Sequence, residues 1–171
     1  MSWSGPAVYR FPDRLSKERV YPVLDESGST VATIAKRWAA NSFDAWDAMG
    51  HPLCSGRLQI LGSWVAEDAA HNGIASVGRG FFGVHRVVLC GGTVVVRLRS
   101  GWSRGTWRVE DGSGRVLVSS VAHEAGFFVA RDAWLVASVL TLAETIAVTE
   151  LYRLAVKRRR RSGGGSASGA G

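Results

Sequence analysis

The chain has 171 residues, of which 46% are hydrophobic and 20% are charged. This balance is typical of one globular domain and excludes a disordered chain. The formal net charge is +7, and five consecutive cations at residues 157–161 leave only +2 for the rest of the chain. Two cysteines, Cys54 and Cys90, are too few for a disulfide framework. Residues 1–14 lack a basic head followed by an apolar run, so we predict no signal peptide and a cytoplasmic protein with reduced thiols.

A repeated pattern begins at residue 21. In residues 21–31, 43–53 and 107–117, an aromatic residue is followed two positions later by a small or β-branched apolar residue, then by Asp and by Gly. Asp suits the first position of a type I turn, where its carboxylate accepts hydrogen bonds from backbone amides, and Gly suits the position that needs positive φ. We therefore predict structural hairpin turns at Asp25 and Gly28, Asp47 and Gly50, and Asp111 and Gly114.

Two further hairpins follow the same spacing. A looser copy begins at Trp64 and contains Asp68, but its glycine, Gly73, comes two residues late. Another is predicted to turn at Gly91 and Gly92, between two runs of β-branched residues. Five hairpins give about ten strands, and the segments at residues 81–86 and 126–131 could add one or two more.

The last predicted element covers residues 133–156. Its apolar residues lie on all sides of a helix between Trp134 and Val148, whereas a surface helix shows one apolar stripe. A bilayer span is disfavoured, because Glu144 and Glu150 interrupt the segment and such charges are costly in a membrane. We expect residues 133–148 to be enclosed by protein, with Leu140 among the most buried residues. In the following turns, we expect Glu150 and Arg153 to face away from an apolar stripe and to lie near a surface.

Together these elements predict an α+β, mostly β, fold. About twelve antiparallel strands, built of repeated hairpins, would form a barrel around a central hydrophobic C-terminal helix at about residues 133–156. The alternative is a β-sandwich with a covering helix, which would leave one helix face in solvent. We place a single domain with a basic end at residues 1–161 and a disordered Gly/Ser tail at residues 162–171.

The stretches "VLDESGSTV", "AWDAMGHPL" and "RVEDGSGRVL", followed by "GFFVAR" and "DAWLVASVLTLAETIAV", give the chain a family resemblance. Over residues 9–156 it resembles the tubby C-terminal-like superfamily, most closely its LURP-one-related branch, which is itself similar to phospholipid scramblases. The resemblance implies a twelve-stranded barrel around a central helix. It also implies binding of anionic lipid headgroups, as in tubby members, or membrane association with calcium, as in scramblases. The chain lacks the alternating acids of a calcium loop and a cysteine cluster for palmitoylation.

Other motifs give little support to an enzyme. The G-x-G-x-x-G pattern at residues 78–83 leads into a predicted strand, whereas a dinucleotide site needs a helix there. His51 and Cys54 are three residues apart, but two ligands do not make a zinc site. No nucleophile elbow is present in the sequence. We predict a non-enzymatic protein with no cofactor and no metal.

The basic residues suggest a binding surface. Arg97 and Arg99 alternate with apolar residues on a predicted strand, and Arg104 and Arg108 follow near a tryptophan. Such a face suits phosphate headgroups, although an ordinary solvated strand has the same pattern. The further candidate contacts to anionic lipid are Lys157, Arg158, Arg159, Arg160 and Arg161.

These observations favour a binding module for anionic membrane lipid, peripheral at the inner membrane surface, or for a protein partner. A small-ligand or nucleic-acid binding module is the alternative, and nucleic acid is disfavoured because the aromatic residues occupy predicted core positions. A scramblase-like membrane protein is a third reading, which the charged residues of the terminal segment disfavour.

Overall fold

In the computed structural model, the described residues are 7–12, 19–37, 41–59, 63–78, 84–89, 94–100, 107–122 and 133–163. They form twelve strands and one helix. The strands are β1 (Ala7–Pro12), β2 (Val20–Leu24), β3 (Thr30–Arg37), β4 (Ser42–Asp47), β5 (Pro52–Leu58), β6 (Trp64–Asp68), β7 (Gly73–Gly78), β8 (Val84–Leu89), β9 (Val94–Ser100), β10 (Trp107–Glu110), β11 (Val116–Ala122) and β12 (Ala133–Ser138). The helix is α1 (Leu142–Gly163).

The strands close into an antiparallel barrel in which each strand pairs with its neighbours in sequence and β1 pairs with β12. The predicted barrel is therefore confirmed. Closure removes the free edges that an open sheet of this size would expose. The seam between β1 and β2 is short, since only Arg10 and Leu24 are in register there, whereas β1 and β12 share six register pairs from Ala7 to Pro12.

The repeated hairpins share one turn geometry. Gly28, Gly50 and Gly114 have φ of 84°, 87° and 87°, and each amide donates to the carbonyl oxygen of the aspartate three residues earlier. In the looser copy, His71 takes this place with φ of 63°, so the late Gly73 is not the turn residue. A register shift follows in each of the four hairpins, as expected for a bulge that restores strand twist.

The aromatic residue that opens each repeat points into the barrel. Tyr21, Phe43, Trp64 and Trp107 are all buried, and the Trp107 ring packs against Tyr152 of α1 with ring centroids 5.2 Å apart. The repeat thus supplies a turn and also an inward aromatic side chain, because side chains alternate along each strand. These aromatics form the wall against which the helix packs.

The terminal segment differs from the prediction. Residues 133–138 form β12 and not the first turns of the helix, and Leu140 is only partly buried. A short apolar run fits a buried strand as well as a helix, so its periodicity did not distinguish the two. α1 begins after Thr141, whose backbone amide and hydroxyl donate to the Glu144 carboxylate at 2.9 and 2.8 Å, while the Glu144 amide donates to the Thr141 hydroxyl. This capping box fixes the start of the helix.

The enclosed part of α1 is later in the chain than predicted. Residues 145–154 are all buried inside the barrel, including the polar side chains at Thr145, Thr149, Glu150 and Arg153. The expectation that Glu150 and Arg153 face a surface is therefore wrong. Across the described residues, no helix is both long enough and apolar enough to cross a bilayer.

The antiparallel strands give the barrel two distinct ends. The turns at residues 25–29, 47–51, 68–72 and 111–115 lie at one end, where α1 also begins, and we call it the turn end. Further along α1, Arg153 bonds to Pro12 at the close of β1, and Tyr152 packs against Trp107 at the start of β10. α1 therefore leads out at the opposite end, which we call the helix-exit end.

The positive φ of Gly114 generates the first prediction. Gly114→Val should lower the free energy of unfolding by about 1–3 kcal/mol, because a β-branched residue is strained at this φ although space is open around it. Gly112→Val is the matched control, since Gly112 lies in the same turn, also in open space, without positive φ. Equal denaturant midpoints for the two variants would contradict the turn assignment.

The position of the enclosed helix generates the second prediction. Leu151 is fully buried, so Leu151→Ala should cost about 2–5 kcal/mol in chemical denaturation. Leu140→Ala should cost clearly less, because Leu140 is only partly buried before the helix begins. A larger loss from Leu140→Ala than from Leu151→Ala would show that the helix is misplaced by several residues.

Candidate functional site

The basic segment continues the enclosed helix without a break. The backbone of α1 is helical through residues 157–161 and ends at Gly163, only a few residues after the buried Arg153. At about 100° per residue, five consecutive cations occupy positions around the whole circumference of the helix. Cations at a helix C-terminus also interact favourably with the helix dipole. The helix therefore ends in a basic segment, and the turns before that segment are held inside the barrel.

The strand arginines form a second basic group. Arg97 lies in register with Arg86 on β8 and Glu110 on β10, and Arg99 lies in register with Arg108. Arg108 is largely exposed, and its Nε lies 2.6 Å from Oε1 of Glu110. Like charges directly opposite one another are destabilising in a sheet, and Glu110, in register with Arg97 and paired with Arg108, supplies one counter-charge to this group. Arg104 lies outside the described residues.

Arg86 was missed by the sequence reasoning. Arg97, its partner across the strands, could be predicted as a candidate lipid contact because it alternates with apolar residues on its own strand. The hairpin predicted to turn at Gly91 and Gly92 was the signal that could have found it, because residues equally distant from that turn, such as Arg86 and Arg97, lie opposite each other.

A buried ion cluster lies inside the helix-exit half of the barrel, and the sequence analysis did not foresee it. Glu150 is 0% exposed, and one of its carboxylate oxygens lies 3.0 Å from Nζ of Lys36 on β3. The other oxygen accepts a hydrogen bond of 2.7 Å from Arg153. Arg153 also donates to the carbonyl oxygen of Pro12 on β1 at 2.6 Å. The Lys36 ammonium lies 4.8 Å from the centre of the Tyr21 ring on β2.

Lys36 and Arg153 together lower the pKa of Glu150 by more than burial raises it. Desolvation alone would raise the pKa of Glu150, but Lys36 and Arg153 hold it below its ordinary value. Burial raises the pKa of Tyr21 well above its usual range, and the Glu150 charge adds to this shift. Glu150 is therefore ionised at neutral pH and has no solvent access. It is poorly placed for acid–base chemistry on a substrate.

The cluster instead joins the elements on both sides of the weak barrel seam. Pro12 belongs to β1 and Lys36 to β3, and α1 contacts them through Arg153 and Glu150, while the Tyr21 ring of β2 lies against the Lys36 ammonium. Only one register pair joins β1 to β2 directly. The helix thus supplies side-chain contacts where the strand ladder is shortest.

The turn aspartates have a structural environment. Hydrogen bonds from the Ser27 side chain and the Ser29 amide lower the pKa of Asp25, and bonds from Ser113 and Arg115 lower that of Asp111. Asp47 and Asp68 accept amide hydrogen bonds in the same pattern. Each of these carboxylates accepts hydrogen bonds from residues of its own turn, which indicates a structural role.

Within the part of the chain that the structure describes, the cysteine, the glycine-motif residue and the histidines noted in the sequence do not come together in a catalytic or metal-binding group. Cys54 is a buried free thiol whose sulfur lies 3.7 Å from the Ala143 carbonyl oxygen, and burial raises its pKa to about 12. Cys90 lies outside the described residues, as does most of the glycine motif at residues 78–83. Among the residues whose placement is described, no group of three or more His, Cys, Asp or Glu side chains could hold a metal ion.

Comparisons with known proteins support the fold. No protein-family profile matches the chain, and no curated protein matches it in sequence. One solved structure that it resembles is the X-ray structure of the Arabidopsis thaliana protein AT5G01750. That structure has a TM-score of 0.60 and 14% sequence identity, and the match covers 91% of this chain and 93% of the plant protein. At this identity the likeness shows a shared fold over nearly the whole of both chains.

The ion cluster generates the third prediction. Glu150→Gln should destabilise the protein by about 3–5 kcal/mol, because it leaves two buried cations without their counter-charge. Glu67→Gln is the control: it removes a carboxylate paired with the exposed Arg57, and such surface pairs contribute only about 0–1 kcal/mol. Chemical denaturation of both variants at neutral pH measures the difference.

The pH dependence gives a second readout for Glu150. Its pKa is lowered by folding, so its stabilising contribution is complete above the unfolded-state pKa and is lost as the pH falls through the lower folded-state value. The stability gap between wild type and Glu150→Gln should therefore narrow on acidification. A constant gap from neutral to acidic pH would contradict an ionised Glu150.

Proposed function

We propose that this protein is a non-enzymatic binding module that attaches to anionic membrane surfaces on the cytoplasmic side. The observation that carries the proposal is the continuity of α1. Its first half is buried in the barrel, and its last turns contain five consecutive cations. A rigidly anchored cationic end loses less conformational freedom on binding than a flexible tail would.

The chemistry of the basic end suits a surface better than a pocket. Each Lys or Arg close to an anionic leaflet contributes about 1 kcal/mol, and this attraction decays within a Debye length. Five such residues give salt-sensitive binding without any single specific contact. Arg97 and Arg99 would add to the same attraction, and Arg108 would add less because Glu110 neutralises part of its charge.

The filled interior supports a non-enzymatic role. α1 occupies the centre of the barrel, where its own Leu151 and the strand residues Phe11, Ile34 and Phe43 are all fully buried. Small-ligand sites are usually concave and partly apolar, and in this barrel the helix takes up that space. We therefore assign recognition to the outer surface.

Truncation of the basic end generates the fourth prediction. A chain ending at Val156 should lose at least about tenfold in affinity for vesicles of phosphatidylcholine with phosphatidylserine at low salt, since tenfold corresponds to only about 1.4 kcal/mol. A chain ending at Gly163 is the matched control, because it removes eight residues without any charge. Vesicle co-sedimentation across a salt series measures both, and thermal melting checks that both chains fold.

Three outcomes would contradict the proposal. Wild type that binds phosphatidylcholine vesicles with and without phosphatidylserine equally well would exclude electrostatic attachment. Undiminished binding by the chain ending at Val156 would exclude the basic end as its source. Binding to a polynucleotide that exceeds vesicle binding at the same salt would favour a nucleic-acid module instead.

A further inference from the structure

The acidic residues of the described chain are concentrated at the turn end. The hairpin aspartates lie in its turns, and Glu144 lies in the first turn of α1, which begins there. Arg115 is the one cation in these four hairpin turns. The acidic residues in these turns and in the first turn of α1 are Asp25, Glu26, Asp47, Asp68, Asp111 and Glu144.

The helix-exit end has the opposite character. Residues 157–161 follow the enclosed part of α1 there, Arg99 is the penultimate residue of β9, and Arg108 is the second residue of β10. Arg19 is exposed just before β2. Asp44, near the start of β4, is neutralised by Arg37 at 2.9 Å. Among the residues that the structure describes, charge is therefore negative at the turn end and positive at the helix-exit end.

Exposed apolar side chains accompany the cations. Val121, near the close of β11, is 58% exposed, and Val20, at the start of β2, is 55% exposed. Both lie at the helix-exit end, on the outer face of the four neighbouring strands β11, β12, β1 and β2. Val121 is in register with the partly exposed Leu135, which extends the apolar surface onto β12.

From this polarity we propose that the protein docks end-on, with the helix-exit end against an anionic lipid surface and with Val20 and Val121 entering the headgroup–acyl boundary. The inference rests on the proposed function and adds the orientation and the two apolar contacts. Positive charge beside exposed apolar side chains is the combination that an interfacial membrane contact requires. The acidic turn end points away from the membrane, because an anionic surface repels it.

A lipid surface fits this end better than a second copy of the chain. A two-fold symmetric contact would bring the same cations of both copies together, and like charges would oppose it. An anionic lipid surface presents the complementary charge to the described cations of this end. It also offers an apolar layer for the valines.

The experiment compares three valines that differ in position. Val121→Asn and Val20→Asn remove apolar contact at the helix-exit end without adding charge. Val116→Asn is the matched control, because Val116 is 43% exposed on the same strand as Val121 but lies at the turn end. We expect the double variant Val20→Asn/Val121→Asn to lose about tenfold in affinity for phosphatidylserine-containing vesicles, since two apolar side chains lose their burial. Val116→Asn should bind as wild type does.

The outcomes separate the two proposals. If wild type does not bind these vesicles, or if truncation at Val156 has no effect, the proposed function fails. If wild type binds through residues 157–161 but the double variant and Val116→Asn bind equally well, only the end-on orientation is overturned. Binding to poly-glutamate with no binding to vesicles would assign the end to an acidic protein partner. Thermal melts of all variants should match wild type, because the three valines are exposed.

Discussion

Everything in this structure depends on enclosing a helix that has no face suited to water. Residues 145–154 of α1 are buried on every side, and among them Glu150 is a fully buried charge. A closed sheet is the arrangement that covers such a helix while pairing the backbone groups of every strand. The barrel closes weakly between β1 and β2, and the helix itself strengthens that place through Arg153 at Pro12 and Glu150 at Lys36. Helix and barrel therefore depend on each other.

The hairpins could be predicted from the sequence because a few neighbouring residues determine each turn. Asp25 and Gly28, or Asp111 and Gly114, specify a turn within five residues, and the aromatic residue four positions before each Asp marks the inward face. The register shift after each turn follows from the same geometry. The ten strands from β2 to β11 could accordingly be predicted without any knowledge of the contacts between hairpins, whereas β1 and β12, which pair with each other and belong to no repeat, could not.

The start of the terminal helix was harder to predict, because the apolar run before it and the capping box at Thr141 indicate different first residues. Residues 133–138 are apolar enough for either a strand or a helix. The predicted helix therefore began at residue 133, whereas α1 begins at Leu142. The pattern Thr141-x-x-Glu144 is a capping box, and it marks the start of the helix in the sequence itself. The ion cluster could not be predicted in the same way, since Lys36 and Pro12 are remote from Glu150 in sequence and meet it only when the barrel closes. Glu150 and Arg153, three residues apart, have the spacing of an ordinary surface pair.

The central claim is that α1 holds the barrel closed at the seam between β1 and β2, and native-state hydrogen exchange tests it most directly. In wild type, the amides of β1, β2 and residues 145–154 should exchange with the same opening free energy as those of β4 and β5, because all of them open in one global event. In Glu150→Gln, the amides of β4 and β5 should lose only the protection that corresponds to the lower free energy of global unfolding, while those of β1 and β2 should lose more, because they open before the rest of the barrel. Protection that falls equally in all strands, or that is unchanged in β1 and β2, would contradict the claim that the helix closes the seam.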